Sequence, residues 1–199
     1  MSKGDETRQR IIAAAAPLFN KRGYAGCALK DIMEATGLEK GGIYRHFESK
    51  EELAAEAFDY AWMVSSAQRR HGLEDIPDHV DRLKEYISRF VHRSIIPGGC
   101  PILNTGVDSD DGNPVLRERV QAAMRNWQKM IRTTLNEGIV AGTIQRSVDP
   151  EKAARLIIAT LEGGMLVSRI EKNDEGLLTA MDHLDEYLEL QVRASNRKR

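Results

Sequence analysis

The stretch from Ala28 to Lys50, ALKDIMEATGLEKGGIYRHFESK, admits few folds. Leu29, Ile32 and Met33 recur at helical spacing, Ala35 and Thr36 follow, and Gly37 suits a helix stop. Leu38 resumes the apolar pattern, with Ile43 and Phe47 one turn apart on one face. The opposite face carries Lys40, Tyr44, Arg45 and His46. Two apolar-backed helices joined by a glycine-containing turn form a helix-turn-helix. A second helix with a basic and aromatic outer face fits the DNA major groove, where its side chains reach phosphates and base edges. Double-stranded DNA is the partner this element implies.

The overall charge of −1 looks wrong for such a partner until it is divided along the chain. Residues 1–50 hold nine Lys/Arg against six Asp/Glu, a net of +3, and the remainder holds 20 against 24, a net of −4. The phosphate-binding surface is thereby assigned to the N-terminal module. At 199 residues, 41% apolar and 30% charged, the chain has enough length for a substantial core and the composition of a soluble helical protein. No run approaches the roughly 18 apolar residues of a membrane span. MSKGDETRQR lacks an apolar signal core, so a cytoplasmic location and no membrane partner are expected.

The run LKDIMEATGLEKGGIYRHFESKEEL resembles the signature of the TetR family of bacterial transcriptional regulators. Gly37, Gly41, Tyr44, Phe47 and Lys50 fall where the family pattern has them; Ala28, Glu39 and Gly42 depart from it. The close match covers about residues 8–55. The resemblance implies an all-α fold of about nine helices: a three-helix helix-turn-helix domain over 1–50, with a linking helix starting near 49, and a helical ligand-binding and dimerisation domain over 51–199. It implies a homodimeric regulator, more in the manner of a repressor than an activator, released from a palindromic operator by a small hydrophobic or amphipathic ligand. The chain is not expected to be an enzyme or to need a cofactor.

Taken in order, residues before Glu6 read as frayed. Ile11, Ile12, Ala15, Leu18 and Phe19 mark a first helix stopped by Gly23. Ser49-x-x-Glu52 is a capping box opening a helix to about Arg70. A helix is expected from about His79 to Ile95, then a break at Pro97-Gly98-Gly99 and a short helix over 101–109. A polar turn, Ser109–Gly112, leads to a long helix capped by Asn113 and ending near Val140. Asp149-Pro150 starts another to about Arg169, and the last begins near Asp174. The tail ASNRKR is basic and reads as disordered.

Lys30, Lys40, Gly41, Gly42, Tyr44, Arg45, His46 and Lys50 are the candidate DNA contacts. Tyr44 combines a ring for a thymine methyl with a hydroxyl for phosphate, and the glycines admit a close sugar-phosphate backbone. Arg8 reads equally as a backbone contact or a solvated charge. Trp62, Met63, Phe90, Met124, Trp127 and Met165 come from helices that surround the ligand cavity in TetR-like folds; the alternative for each is plain core packing. Gly163-Gly164 inside a helix implies a close approach, either across a dimer interface or beneath a ligand; the family's four-helix bundle assigns it, with Leu161, Leu184 and Leu188, to the interface. Cys100, beside two glycines at a helix start, is either a small buried cysteine or a redox or electrophile sensor. The histidines and two cysteines show no metal-type spacing and no HExxH, GxSxG or P-loop, so no metal site is expected and a thiol-dependent enzyme has no accompanying base.

Overall fold

The computed structural model describes residues 2–92, 95–109 and 112–195. Asp110 and Asp111 of the expected polar turn and residues 196–199 of the expected tail lie outside the described residues. Nine α-helices occur among the described residues: α1 Lys3–Gly26, α2 Leu29–Thr36, α3 Lys40–Tyr44, α4 Lys50–Arg70, α5 His79–Ser88, α6 Pro101–Ser109, α7 Pro114–Ala141, α8 Pro150–Glu171 and α9 Glu175–Tyr187. A single β-bridge, Ile144 to Arg193, is the extended pairing among them.

The helix ends follow local chemistry. Asp78, Asn113 and Asp149 accept from backbone N–H groups at the starts of α5, α7 and α8, replacing partners those amides lack within the helix. Gly37 closes α2 in the left-handed conformation, φ 67°. Three expected boundaries need correction. Helix α1 begins at Lys3, because Ser2 and Asp5 each accept the other's backbone N–H in a reciprocal cap. The Ser49 box is half formed: Ser49 Oγ accepts from Glu52 N at 3.1 Å, while the Glu52 carboxylate turns to Glu48 N at 2.6 Å. The helix expected to reach Ile95 stops at Ser88 and tightens into a 3₁₀ turn, Arg89–Val91, which keeps Phe90 on the buried side.

The chain divides into two compact units, Met1–Gln68 with Ser94–Met124 and Arg69–Arg93 with Arg125–Arg199. The expected boundary at 50/51 is therefore displaced. Leu53, Ala54, Ala57 and Ala61 of α4 share one buried cluster with Ile11, Ala15, Phe19, Ile32, Ile43 and Phe47, and Ile96 and Leu116 join it from far along the sequence. In this first unit α6 is pinned to α1. Asn104 Nδ2 donates to Asn20 O and Oδ1, both at 3.0 Å, while Asn20 Nδ2 donates to Pro97 O at 3.0 Å.

The second unit is built on α8 and α9, with Ile157, Leu161, Leu184 and Leu188 fully covered. Gly164 is the point of closest approach: a Cβ there would lie 2.6 Å from Ala180 Cβ and 2.9 Å from Gly176 O on α9. The assignment of Gly164, Leu161, Leu184 and Leu188 to a dimer interface is corrected by this packing: Gly164 lies against α9 of the same chain, and the three leucines are fully buried within the single chain. Gly163 alone of that set faces open space, with nothing within 4 Å of a built Cβ. On its face of α8 stand the exposed Leu156, Ala159, Leu166 and Ile170, at alternating spacings of three and four.

Candidate nucleic-acid interface

Helix α2 enters with an extended residue, Ala28, which has no side chain to cap it. Asp31 compensates, accepting from Ala28 N at 2.8 Å and pairing with Arg22 at 2.6 Å. The Arg22 guanidinium and the Ala28 amide hold the Asp31 carboxyl below the usual carboxylate range. Gly37 then reverses the chain and Glu39, also extended, starts α3 without a side-chain cap. Ile43 and Phe47 are buried beneath, which fixes the opposite face outward.

That outer face carries most of the candidate contacts. Lys40, Gly41, Tyr44 and Arg45 are exposed, and Gly42 and His46 are half-buried. Tyr44 is 37% exposed, with the Lys40 ammonium 5.9 Å from its ring centroid. A Cβ on Gly41 would touch nothing within 4 Å, so packing inside the chain does not demand glycine there. Lys30 projects from α2 with its side chain 83% exposed, and approaches Glu34 at 3.8 Å.

Two basic residues are committed to the scaffold instead. Arg8 forms a two-pronged pair with Glu56, reaches Glu52 at 3.3 Å and His46 O at 3.3 Å, and lies 4.7 Å over the Phe47 ring. The hydrogen bonds to Glu56 raise its affinity for its proton. Lys50 is half-buried, donating from Nζ to Tyr24 O at 2.6 Å and lying 4.3 Å over the Tyr24 ring. It braces the end of α1, and its place among the phosphate contacts depends on its remaining hydrogens.

The six candidates for a ligand cavity are divided between the two units, with Met165 in the second. Phe90 and Trp127 stack in the second unit at 5.9 Å and 11°, while Trp62, Met63 and Met124 belong to the first unit and Met63 is 57% exposed. Sequence reasoning missed two neighbours of the Phe90–Trp127 pair: Tyr86, edge-on to Phe90 at 5.4 Å, and buried Arg69, 4.3 Å over the Phe90 ring. Arg69 follows Ser65-Ser66-Ala67-Gln68 and reads as a surface charge by type alone. In the first unit a cavity bounded by Ala16, Phe19, Tyr24, Ala57, Phe58 and Leu116 has about 20 Å³, room for about one water. Cys100 directly precedes α6 as expected, but only 3% of it is exposed. Cys27 is buried too, and burial pushes its thiol pKa up. Among the described residues no group of acids, histidines and cysteines could hold a metal ion, and no helix is long and apolar enough to cross a membrane.

Residues 11–57 match the model of "Bacterial regulatory proteins, tetR family", and residues 77–184 that of "Tetracyclin repressor-like, C-terminal domain". The chain is 31% identical to the HTH-type transcriptional repressor DhaR of Mycobacterium sp. (strain GP1) over 172 residues, 85% of this chain and 86% of that one. It is 30% identical to the HTH-type transcriptional regulator LmrA of Bacillus subtilis (strain 168), covering 89% of this chain and 94% of that one. A TetR transcriptional regulator from Chloroflexus aurantiacus J-10-FL superposes with a TM-score of 0.92 at 49% identity, covering 98% of this chain and 100% of that one. A TetR-family regulator from Cytophaga hutchinsonii gives 0.90 at 35%, covering 95% and 96%. With an exposed basic and aromatic helix set on a buried helix-turn-helix core, and with both halves matching, the chain belongs to the tetR family of bacterial regulatory proteins and is a DNA-binding transcriptional regulator.

Proposed function

We propose that this regulator is a cytoplasmic homodimeric repressor that sets one α3 from each copy into successive major grooves of a pseudo-palindromic operator, and that a small hydrophobic or amphipathic ligand releases it. The observation that carries the DNA reading is the sidedness of α3: Ile43 is buried, while Lys40, Gly41, Tyr44 and Arg45 are exposed. Lys30 and Arg45 supply phosphate charge, Tyr44 and Lys40 reach base edges, and Gly41, Gly42 and His46 line the approach. The dimer reading rests on α8, whose stripe of Leu156, Ala159, Gly163, Leu166 and Ile170 leaves apolar surface in water. A second copy covering the same stripe makes a self-complementary contact of coiled-coil spacing. The ligand reading rests on the Tyr86–Phe90–Trp127 aromatic set in the second unit. Ligand binding favours dimers whose two α3 helices do not match the groove spacing.

Gel-shift titration and sedimentation of wild type, Tyr44→Ala and Leu166→Asp test this directly. Tyr44→Ala is expected to remain dimeric and lose at least about tenfold in operator affinity, the scale of one good base or phosphate contact. Leu166→Asp is expected to become monomeric and lose operator binding through lost avidity. Undiminished operator binding by Tyr44→Ala would remove α3 as the reader, and an intact Leu166→Asp dimer would remove the α8 stripe as the interface.

A further inference from the structure

Glu39 stands at the leading edge of α3 and is exposed. Its backbone is committed to the helix, since Glu39 O accepts from Gly42 N at 2.8 Å and Ile43 N at 3.2 Å. Its side chain does nothing for that helix. A residue before a helix ordinarily carries Ser, Thr, Asp or Asn to accept a first-turn N–H, and here no such bond forms. The other acids of α2 and the turn have cations at hand: Asp31 pairs with Arg22 at 2.6 Å and Glu34 approaches Lys30 at 3.8 Å. Glu39 has no hydrogen-bonding or ionic partner for its carboxylate among the described residues. Even the adjacent Lys40 places its ammonium toward the Tyr44 ring.

A bare carboxylate on a face built to meet phosphates is a liability against most DNA, because both are anionic and burial strips its water. The cost is recovered where a major-groove edge presents an amino donor. Cytosine N4 is such a donor, and acidic side chains accept from it. Adenine N6 is also a donor, but the neighbouring N7 acceptor repels the second carboxylate oxygen. Guanine and thymine present acceptors or a methyl group to a side chain that can only accept.

Resting on the placement of α3 in the major groove, we propose that Glu39 is a specificity-determining residue that reads a cytosine amino group at one position in each half of the operator. It selects chiefly by rejecting the other bases, as an unpaired buried charge does. The test is selection of duplexes from a random pool by the full-length protein, followed by affinities on the selected site and its single-base variants at about 0.15 M salt. Wild type is expected to prefer cytosine at one symmetric position by about tenfold. Glu39→Ala is expected to flatten that position and leave the others intact, with an unchanged unfolding midpoint because the side chain is exposed and caps no helix. Glu39→Gln is expected to shift the preference toward adenine, whose N6 and N7 match an amide. The proposal is overturned if Glu39→Ala tightens binding to every sequence by a common factor with base preferences unchanged, since the carboxylate would then act as a uniform electrostatic brake. A wild-type protein that selects no sequence at all would overturn the groove reading, and this inference with it. Sharp wild-type preferences lacking a Glu39-dependent position would overturn this inference alone.

Discussion

At Gly23 the α1 backbone leaves helical geometry for φ 73° and ψ 173°, a conformation essentially restricted to glycine, and a Cβ there would sit 2.8 Å from the Asp108 carboxylate. Tyr24 N donates to the same carboxylate at 2.6 Å, so the kink is held by α6 and not by its own turn. Gly23→Ala is expected to destabilise the protein by about 1–3 kcal/mol in denaturant unfolding. Asp108→Ala added to it should recover only the steric part. Lys50 shows the same economy of one side chain serving two neighbours. Because Lys50 braces Tyr24, Lys50→Ala should lower both the unfolding midpoint and operator affinity. Its salt slope tests the phosphate role separately: a drop of about one unit marks a phosphate contact, and an unchanged slope leaves a scaffold residue.

Among elements, the α8–α9 pair shows where periodicity informs and where it stops. Ile157, Leu161 and Gly164 form one stripe of α8, and Leu156, Gly163, Leu166 and Ile170 form another. Both follow helical spacing, so the sequence marks α8 as apolar on two sides without saying which side its own α9 covers. The expectation for Gly164 fell on that ambiguity. Gly164→Leu is now expected to lower the thermal midpoint by forcing α8 from α9, an overpacking cost of about 1–3 kcal/mol, rather than to yield a stable folded monomer. Two caps were legible for a different reason: Asn113 and Asp149 announce helix starts by their own chemistry. The early end of α5 was hidden because a 3₁₀ turn at Arg89–Val91 preserves the position of Phe90. The rings beneath Arg69 and Lys50 were not legible, because residue type marks charge as surface and only the fold reveals an aromatic ring beneath it.

The turn after α9 adds a pH dependence. Glu189 receives hydrogen bonds from Arg193 and Lys84, which hold its carboxyl at about 2 against an ordinary 4.5. A depressed carboxylate stabilises the fold above about pH 4.5 and loses that contribution as pH falls toward 2. The group is 36% exposed, so solvent screening limits the effect to about 1 kcal/mol. Denaturant unfolding of wild type and Glu189→Gln should therefore differ at pH 7 and converge near pH 2; a constant gap would assign the difference to packing.

For the whole molecule, the grouping of α6 and the start of α7 with the helix-turn-helix matters most. Segment 1–68 lacks Ile96 and Leu116 from its core and Asn104 from its α1 anchor. Expressed alone, it is expected to unfold at lower denaturant than the corresponding transition of the full chain, as amide exchange would show. Protection equal to that in the full chain would mean the later segment is ornamental. The same interleaving sets a schedule on the ribosome. The DNA-binding unit is not complete in sequence until Met124, 56 residues after Gln68, and at ordinary elongation rates that is a wait of about 3–11 s. During that interval the nascent helix-turn-helix waits for its closing segment, so a rare-codon pause anywhere between residues 69 and 124 lengthens its exposure to proteases and chaperones.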